Sequence, residues 1–418
     1  MKKLTALLLI AAMLLSLAAC GKDSKPDDTT AAPSTAATNP TKPSTQPSTP
    51  SQPVTELDAD LVGKKTYSVS AADALANRSQ VIATMADQTL TNGQFQLYYW
   101  INLYDYLSNN AYYLIYMGLD YTKPLDEQNC PEINGTWQHY FMDAALKTWR
   151  RYQALSLVAQ KEGVELTEDL ASELDKLYET LEARAKEDKY DSVDAMIQND
   201  MGPGCTFEDY LAYMQVYYKG YHYLSYACEQ YQKQLTDEQI QAYFTEHEED
   251  LKKQGITKDS GSVYGVRHIL IEVAKGKTED DWKACQDAAQ KLMDQWVAGG
   301  ATEESFAALA KEHSTDGGSN SNGGLYTGLD KNTNFVTPFK DWYLAEGRQV
   351  GDYGLVKTDY GYHIMYYVDS QLVWYQTAEQ DLMVEKGNEF LQSILEKNPA
   401  QIDFSAIRIG SVDLSAAQ

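Results

Sequence analysis

Val263-Tyr264-Gly265-Val266-Arg267-His268-Ile269-Leu270-Ile271 reads as a β-strand, rich in β-branched residues and carrying a histidine in its middle. Two helices are predicted after it. In the first, Trp282, Cys285, Ala289, Leu292 and Trp296 share one face up to Gly299-Gly300; in the second, Phe306, Leu309, Ala310 and His313 do. Residues 314–325 are a Gly/Ser/Asn-rich loop around Asp316. Phe335-Val336-Thr337-Pro338-Phe339 then marks another helix, and Tyr362 to Val368 a closing strand. This β, α, α, loop, helix, β, β order sets residues 262–370 apart as a mixed α/β unit.

Outward from that unit the pattern is helical. A short hairpin is predicted over 81–90, followed by helices over 92–117 (Phe95, Tyr98, Tyr99, Leu103, Tyr106, Leu107) and 136–162 (Trp137, Phe141, Ala145, Trp149, Tyr152, Leu155). Gly163 stops the second of these, and Thr167 caps a third whose Leu170, Leu174, Leu177 and Leu181 step along one face. After the Gly202-Pro203-Gly204 break, Thr206 opens a helix to about Tyr231, and Thr236 with Gln239 forms a capping box for one more. A last helix over 375–397, with Leu382, Phe390, Leu391, Ile394 and Leu395 on one side, needs a partner and is expected to fold back on the earlier helices. Eight of the 31 tyrosines lie between Tyr98 and Tyr121 and eight more between Tyr210 and Tyr231. Such density predicts partly exposed rings suited to holding varied extended peptides, or else an aromatic interface closed within the domain.

The 418 residues carry a formal charge of −25 and a pI near 4.6, which argues against a nucleic-acid partner. With 43% hydrophobic residues there is enough apolar material for two domains. Residues 1–20 have the charged start, apolar run and small residues of a secretory signal, and Leu17-Ala18-Ala19-Cys20 resembles the lipobox of bacterial lipoproteins. That resemblance implies a lipid on Cys20 and a place on the outer face of the cytoplasmic membrane. Residues 21–55 read as a disordered tether: from 22 onward they hold seven of the twelve prolines, thirteen Ser or Thr and no aromatic residue. Extended, such a chain reaches on the order of 100 Å. Cys130, Cys205, Cys228 and Cys285 show neither a disulfide framework nor metal-type spacing, and are read as structural.

Several motifs within Tyr264 to Val368 resemble, in order, those of the parvulin-type peptidyl-prolyl isomerases. Arg267-His268-Ile269-Leu270 is similar to the family's first strand, Phe306 to Asp316 to its helix and Ser-x-Asp loop, and Val356 to Ile364 to its closing hairpin. The resemblance implies that His268 and His363 are the paired histidines at the bottom of the site. It makes Asp316 the Cys-or-Asp position, Thr358 the hydroxyl bonded into the histidine pair, and Leu325, Phe335 and Phe339 the lining of the proline pocket. No cofactor and no metal are implied. Two positions depart from the family pattern: Gly324 lacks an acidic side chain, and Tyr326 stands where a glycine is common. The signal, tether and helices around this segment resemble exported foldases of the PrsA/SurA type, whose partners are unfolded or newly exported proteins containing Xaa-Pro bonds.

The residues suit that chemistry, since rotation about Xaa-Pro needs only a preference for the twisted amide, without nucleophile or cofactor. Other readings of the same residues are a two-His, one-carboxylate metal site from His268, His363 and Asp316, and a Ser314, His313, Asp316 triad. A further alternative is a catalytically weak, parvulin-like holdase. The expected architecture is α+β: a mostly helical, discontinuous chaperone-like domain over 56–261 and 371–418, with an inserted parvulin-like α/β domain over 262–370 built on a small antiparallel sheet.

Overall fold

The computed structural model describes residues 57–111, 114 and 116–412. Cys20 and the 21–55 tether lie outside the described residues. Along the chain come α1 (Ala59–Val62), β1 (Ser68–Val69), α2 (Ala71–Ala76), β2 (Val81–Met85), β3 (Gln88–Thr91), α3 (Asn92–Asn110), α4 (Trp137–Glu162), α5 (Glu168–Glu187), α6 (Val193–Met201) and α7 (Phe207–Gln232). Next are α8 (Asp237–Glu246), α9 (Glu248–Lys253), β4 (Ser262–Glu272), α10 (Glu279–Ala298), α11 (Glu303–His313), β5 (Leu325–Leu329), α12 (Thr337–Leu344), β6 (Tyr353–Thr358) and β7 (Gly361–Leu372). Helix α13 (Val373–Lys397), β8 (Ala400–Ile402) and β9 (Ile409–Gly410) close the chain. Among the described residues no helix is long and apolar enough to cross a membrane.

Two compact units divide these elements. One holds residues up to Gln234 together with Met383 onward; the other runs from Leu235 to Leu382. In the first, helices α3, α4 and α7 enclose an aromatic core around Phe95, Tyr99, Trp137, Phe141 and Trp149. Their ends are set by local chemistry. Thr91, Thr136 and Thr206 close capping boxes, and Gly163 ends α4 at φ +70°, a left-handed angle glycine adopts without strain. The segment after α13 is tied in by backbone pairing, with β8 antiparallel to β2 and β9 parallel to β1. The fully buried Asn92 accepts from the Arg408 amide at 2.9 Å and donates to the Ala406 carbonyl at 3.0 Å.

The tyrosine-dense helices are mostly closed on themselves. Tyr98, Tyr99, Tyr104, Tyr210, Tyr213, Tyr217 and Tyr223 are buried, while Tyr116 and Tyr226 are exposed. Edge-to-face pairs such as Tyr98–Tyr213 and Tyr152–Tyr217, both at 4.8 Å, show why: paired rings fill a core as readily as they make a surface.

In the second unit, the four-stranded antiparallel sheet has the order β5-β4-β7-β6. This unit begins earlier than position 262. Ile240, Phe244 and Leu251 of α8 and α9 pack with Trp374, Ala378 and Leu382 in the first half of α13, an apolar cluster separate from the sheet. Strand β5 was hidden in the sequence because Leu325-Tyr326-Thr327-Gly328-Leu329 is short and interrupted by glycine.

Candidate active site

Alternation along the strands assigns each site residue to a face. Val266 and His268 of β4, Val356 and Thr358 of β6, and His363, Met365 and Tyr367 of β7 point to the face covered by α12, whose Phe339 and Tyr343 are buried there. Ile269, Ile364 and Tyr366 point the other way, onto Ala289, Leu292 and Trp296 of α10 and Phe306 of α11. Registers Leu270↔His363 and Val356↔His363 put the two histidines and the threonine on three adjacent strands.

The loop after α11 supplies the fourth group. The Thr315 amide donates to the Leu270 carbonyl at 2.9 Å, and Ser314 Oγ accepts from the Leu270 amide at 3.1 Å, so the loop is hydrogen-bonded to β4 just past His268. Arg267 pins its far end, pairing with Glu303 at 2.9 Å while donating to the carbonyls of Asn322 and Gly323. Asp316 is thereby held with Oδ2 2.9 Å from His268 Nε2. His268 Nδ1 lies 3.0 Å from His363 Nδ1, and His363 Nε2 lies 2.8 Å from Thr358 Oγ1.

One assignment of protons satisfies the whole chain with both rings neutral. Thr358 donates to His363 Nε2, His363 Nδ1–H donates to His268 Nδ1, and His268 Nε2–H donates to Asp316. The Tyr360 amide donates to Thr358 Oγ1, which leaves that hydroxyl's own proton for His363. Burial lowers the His363 pKa to about 3, reinforced by the adjacent His268 ring and opposed by Asp316, so the imidazole stays neutral. Asp316 is held well below the usual carboxylate range, first by the bond from His268 and then, against the cost of burial, by Ser319 and Tyr326.

Ser319 and Tyr326 were not among the residues expected here. Ser319 is fully buried and donates to Asp316 Oδ2 at 2.5 Å; the Tyr326 hydroxyl donates to the same oxygen at 3.0 Å. The Asp-x-x-Ser spacing of a tight turn was the available signal for the first. For the second it was strand alternation. Tyr326 pairs with Val266 and so faces His268, whereas Leu325 pairs with Arg267 and faces the α10 and α11 side. Leu325, expected to line the pocket, thus lies on the opposite face of β5 from His268, and Tyr326 lies on the same face. Phe335 and Phe339 do join the site, their rings 4.9 Å apart, with Phe339 edge-on to His268 at 5.1 Å and to His363 at 5.5 Å.

The sheet with its three helices, the hydrogen-bonded pair of histidines and the aromatic rings packed against them coincide with a family match: residues 268–369 fit the PPIC-type PPIase domain, a rotamase. Residues 268–369 form a parvulin-type domain. Over 132 residues the chain is 33% identical to the foldase protein PrsA of Caldanaerobacter subterraneus, covering 31% of this chain and 34% of that protein. It is 38% identical over 100 residues to the chaperone SurA of Pseudomonas fluorescens, covering 24% of this chain and 21% of that one. The alignments thus span about a third and a fifth of these relatives' lengths. Among solved structures, PrsA from Bacillus subtilis is 23% identical over 63% of this chain and 87% of its own, with a TM-score of 0.28.

Within the parvulin domain, both departures from the family pattern have a structural reading. Gly324 sits at φ +75°, and a side chain there would run into the His268 carbonyl oxygen, so glycine is required whatever its neighbours carry. Tyr326 lies in β5 without a left-handed backbone angle, and its hydroxyl is used. The metal reading finds no support: Asp316 meets one edge of the His268 ring and His363 the other, so no single ion reaches all three. Among the described residues no group of three His, Cys, Asp or Glu is placed to hold a metal.

Proposed function

We propose that this chain is a lipid-anchored, extracytoplasmic foldase. Its parvulin domain catalyses cis/trans isomerisation of Xaa-Pro bonds in unfolded or newly exported proteins, and its helical unit holds those proteins. One observation carries the reading: an unbroken hydrogen-bonded chain, Asp316–His268–His363–Thr358, lies against the rings of Phe335, Phe339 and Tyr326.

The chemistry follows from the amide. Its barrier of about 18 to 20 kcal/mol is the loss of resonance on twisting, and a twisted amide has a less negative carbonyl oxygen than a planar one. The aromatic walls hold the prolyl ring, while the anionic Asp316 beside the carbonyl disfavours the planar form more than the twisted one. The two histidines and Thr358 keep Asp316 ionised and in place. They do not transfer protons, and the reaction needs none.

The test is cis-to-trans conversion of a panel of Xaa-Pro peptides by the purified chain, beside His268→Ala and Asp316→Ala variants shown to be folded. Wild type accelerates conversion, and each variant loses tenfold or more, about 1.4 kcal/mol of transition-state stabilisation. No acceleration across the panel, with aggregation of an unfolded client still suppressed, would replace the isomerase by a holdase. Anchoring is read separately: Cys20→Ala releases the protein from the membrane fraction, and mass spectrometry finds no lipid on it.

A further inference from the structure

In the helical unit, α3, α4 and the second half of α13 enclose a cleft of about 880 Å³, within the roughly 300 to 1,000 Å³ of ligand-binding sites. Its wall on α4 includes Tyr140, Lys147, Arg150 and Arg151, and α3 contributes Asp105 and Tyr106. The two arginines differ in their surroundings from the ion-paired Arg78 and Arg267. Nε of Arg150 and Nε of Arg151 are buried without a hydrogen-bond partner, and neither guanidinium makes an ion pair among the described residues. By contrast, Arg78 pairs with Asp209 at 2.7 Å and Arg267 with Glu303 at 2.9 Å. A buried donor without an acceptor costs about 1 to 3 kcal/mol, so two side by side at a cleft mark a place where an acceptor arrives from outside.

We propose that this cleft binds extended peptide segments carrying an acidic side chain, with Arg150 and Arg151 receiving the carboxylate and Tyr106 and Tyr140 the apolar neighbours. Arginine suits the role because its planar fork matches a carboxylate with two parallel bonds. A peptide fits better than a small anion because the cleft of about 880 Å³ is lined by Tyr106, Tyr140, Phe141 and Tyr152, which offer contact area to side chains that a lone anion lacks. The chain's overall charge of −25 does not forbid an acidic ligand, since at physiological salt distant charges are screened beyond about 8 Å while the guanidiniums act in contact. Asp105, buried at the same cleft, has its pKa raised to about 7 by desolvation, so at neutrality it carries only part of a charge. The proposal deepens the foldase reading and rests on it, by giving the helical unit a class of client segment.

The test is fluorescence anisotropy of the full chain with two labelled, proline-free peptides that alternate Tyr, Ala and either Glu or Gln. The Glu peptide binds about tenfold or more tightly than the Gln peptide. In Arg150→Gln/Arg151→Gln the difference falls below about twofold, with Gln-peptide binding retained, and in His268→Ala it is unchanged. Arg151→Lys, which keeps the charge but not the fork, retains only part of the preference. Equal binding of the two peptides by wild type overturns the proposal without recourse to any variant. A preference surviving in the folded double variant overturns it too, as does binding of phosphatidylglycerol vesicles that neither peptide shares. Suppression of client aggregation without Glu/Gln discrimination sinks this proposal alone; discrimination without isomerase or anti-aggregation activity sinks the foldase reading alone.

Discussion

The two units each bury a set of titratable side chains, and they treat them in opposite ways. In the parvulin domain every polar atom of the Asp316–His268–His363–Thr358 chain has a partner, with Ser319 and Tyr326 adding two more donors to Asp316. At the helical cleft, Asp105, Arg150 and Arg151 make no side-chain hydrogen bond to a described residue. A fully partnered network is rigid and keeps one geometry, as positioning a twisted amide demands. An unpartnered set holds unsatisfied interactions in reserve for a ligand. Burial alone says little about function; the difference lies in whether the buried groups answer one another.

The contrast can be broken most forcefully at Gly324. Gly324→Ala places a methyl against the His268 carbonyl oxygen at a left-handed angle, and is expected to destabilise the parvulin unit by roughly 3 kcal/mol or more, read as lost amide protection in β4 and β7 with α4 unaffected. Thr358→Val removes the end of the hydrogen-bond chain and leaves His363 Nε2 buried without a donor, at a cost of about 1 to 3 kcal/mol by the same measurement.

Acidity sharpens the comparison, because the two units respond with opposite sign. The folded His363 pKa of about 3 lies below its ordinary 6.5, so its contribution is complete above about pH 6.5 and is lost as the pH falls toward 3; the depressed Asp316 adds to that loss at the acid end. Asp105 is raised from 3.8 to about 7, so it costs nothing below about pH 4 and its penalty grows until about pH 7. Between pH 7.5 and 4.5, protection in β4 and β7 should fall while that in α3 and α4 rises, each by on the order of 2 kcal/mol. Asp105→Asn should abolish the rise in the helices; an unchanged rise would show that another group carries it.

The smallest effect is expected at Tyr326. Tyr326→Phe keeps the ring between His268 and Phe335 and removes one of three donors to Asp316 Oδ2, so isomerisation should slow about fivefold, near 1 kcal/mol, with the fold intact. A loss as large as that of Asp316→Ala would mean that the phenol itself meets the substrate.

Much of this was legible in the chain. Periodicity placed the helices, and Thr167, Thr206, Thr236 and Gly163 marked their ends, because caps are chemistry within a few residues of one another. The strand around His268 was visible from its β-branched run, although α3 ends at Asn110, earlier than its apolar pattern suggested. Less legible were the short strand β5, the inclusion of α8 and α9 in the second unit, and the burial of most of the dense tyrosines. Composition shows that a tyrosine can serve a core or a surface, and only packing selects between them.

By itself, then, the sequence determined the α+β character, the helix ends, and the set of residue types available for a parvulin site, since these depend on local propensity and short spacing. Tertiary structure decided which of those residues meet. It turned Leu325 away and Tyr326 inward through strand register, seated Ser319 on Asp316, and left Arg150 and Arg151 unanswered at their cleft. Register and long-range pairing depend on contacts between residues far apart in sequence, and a one-residue difference in register exchanges the two faces of a strand.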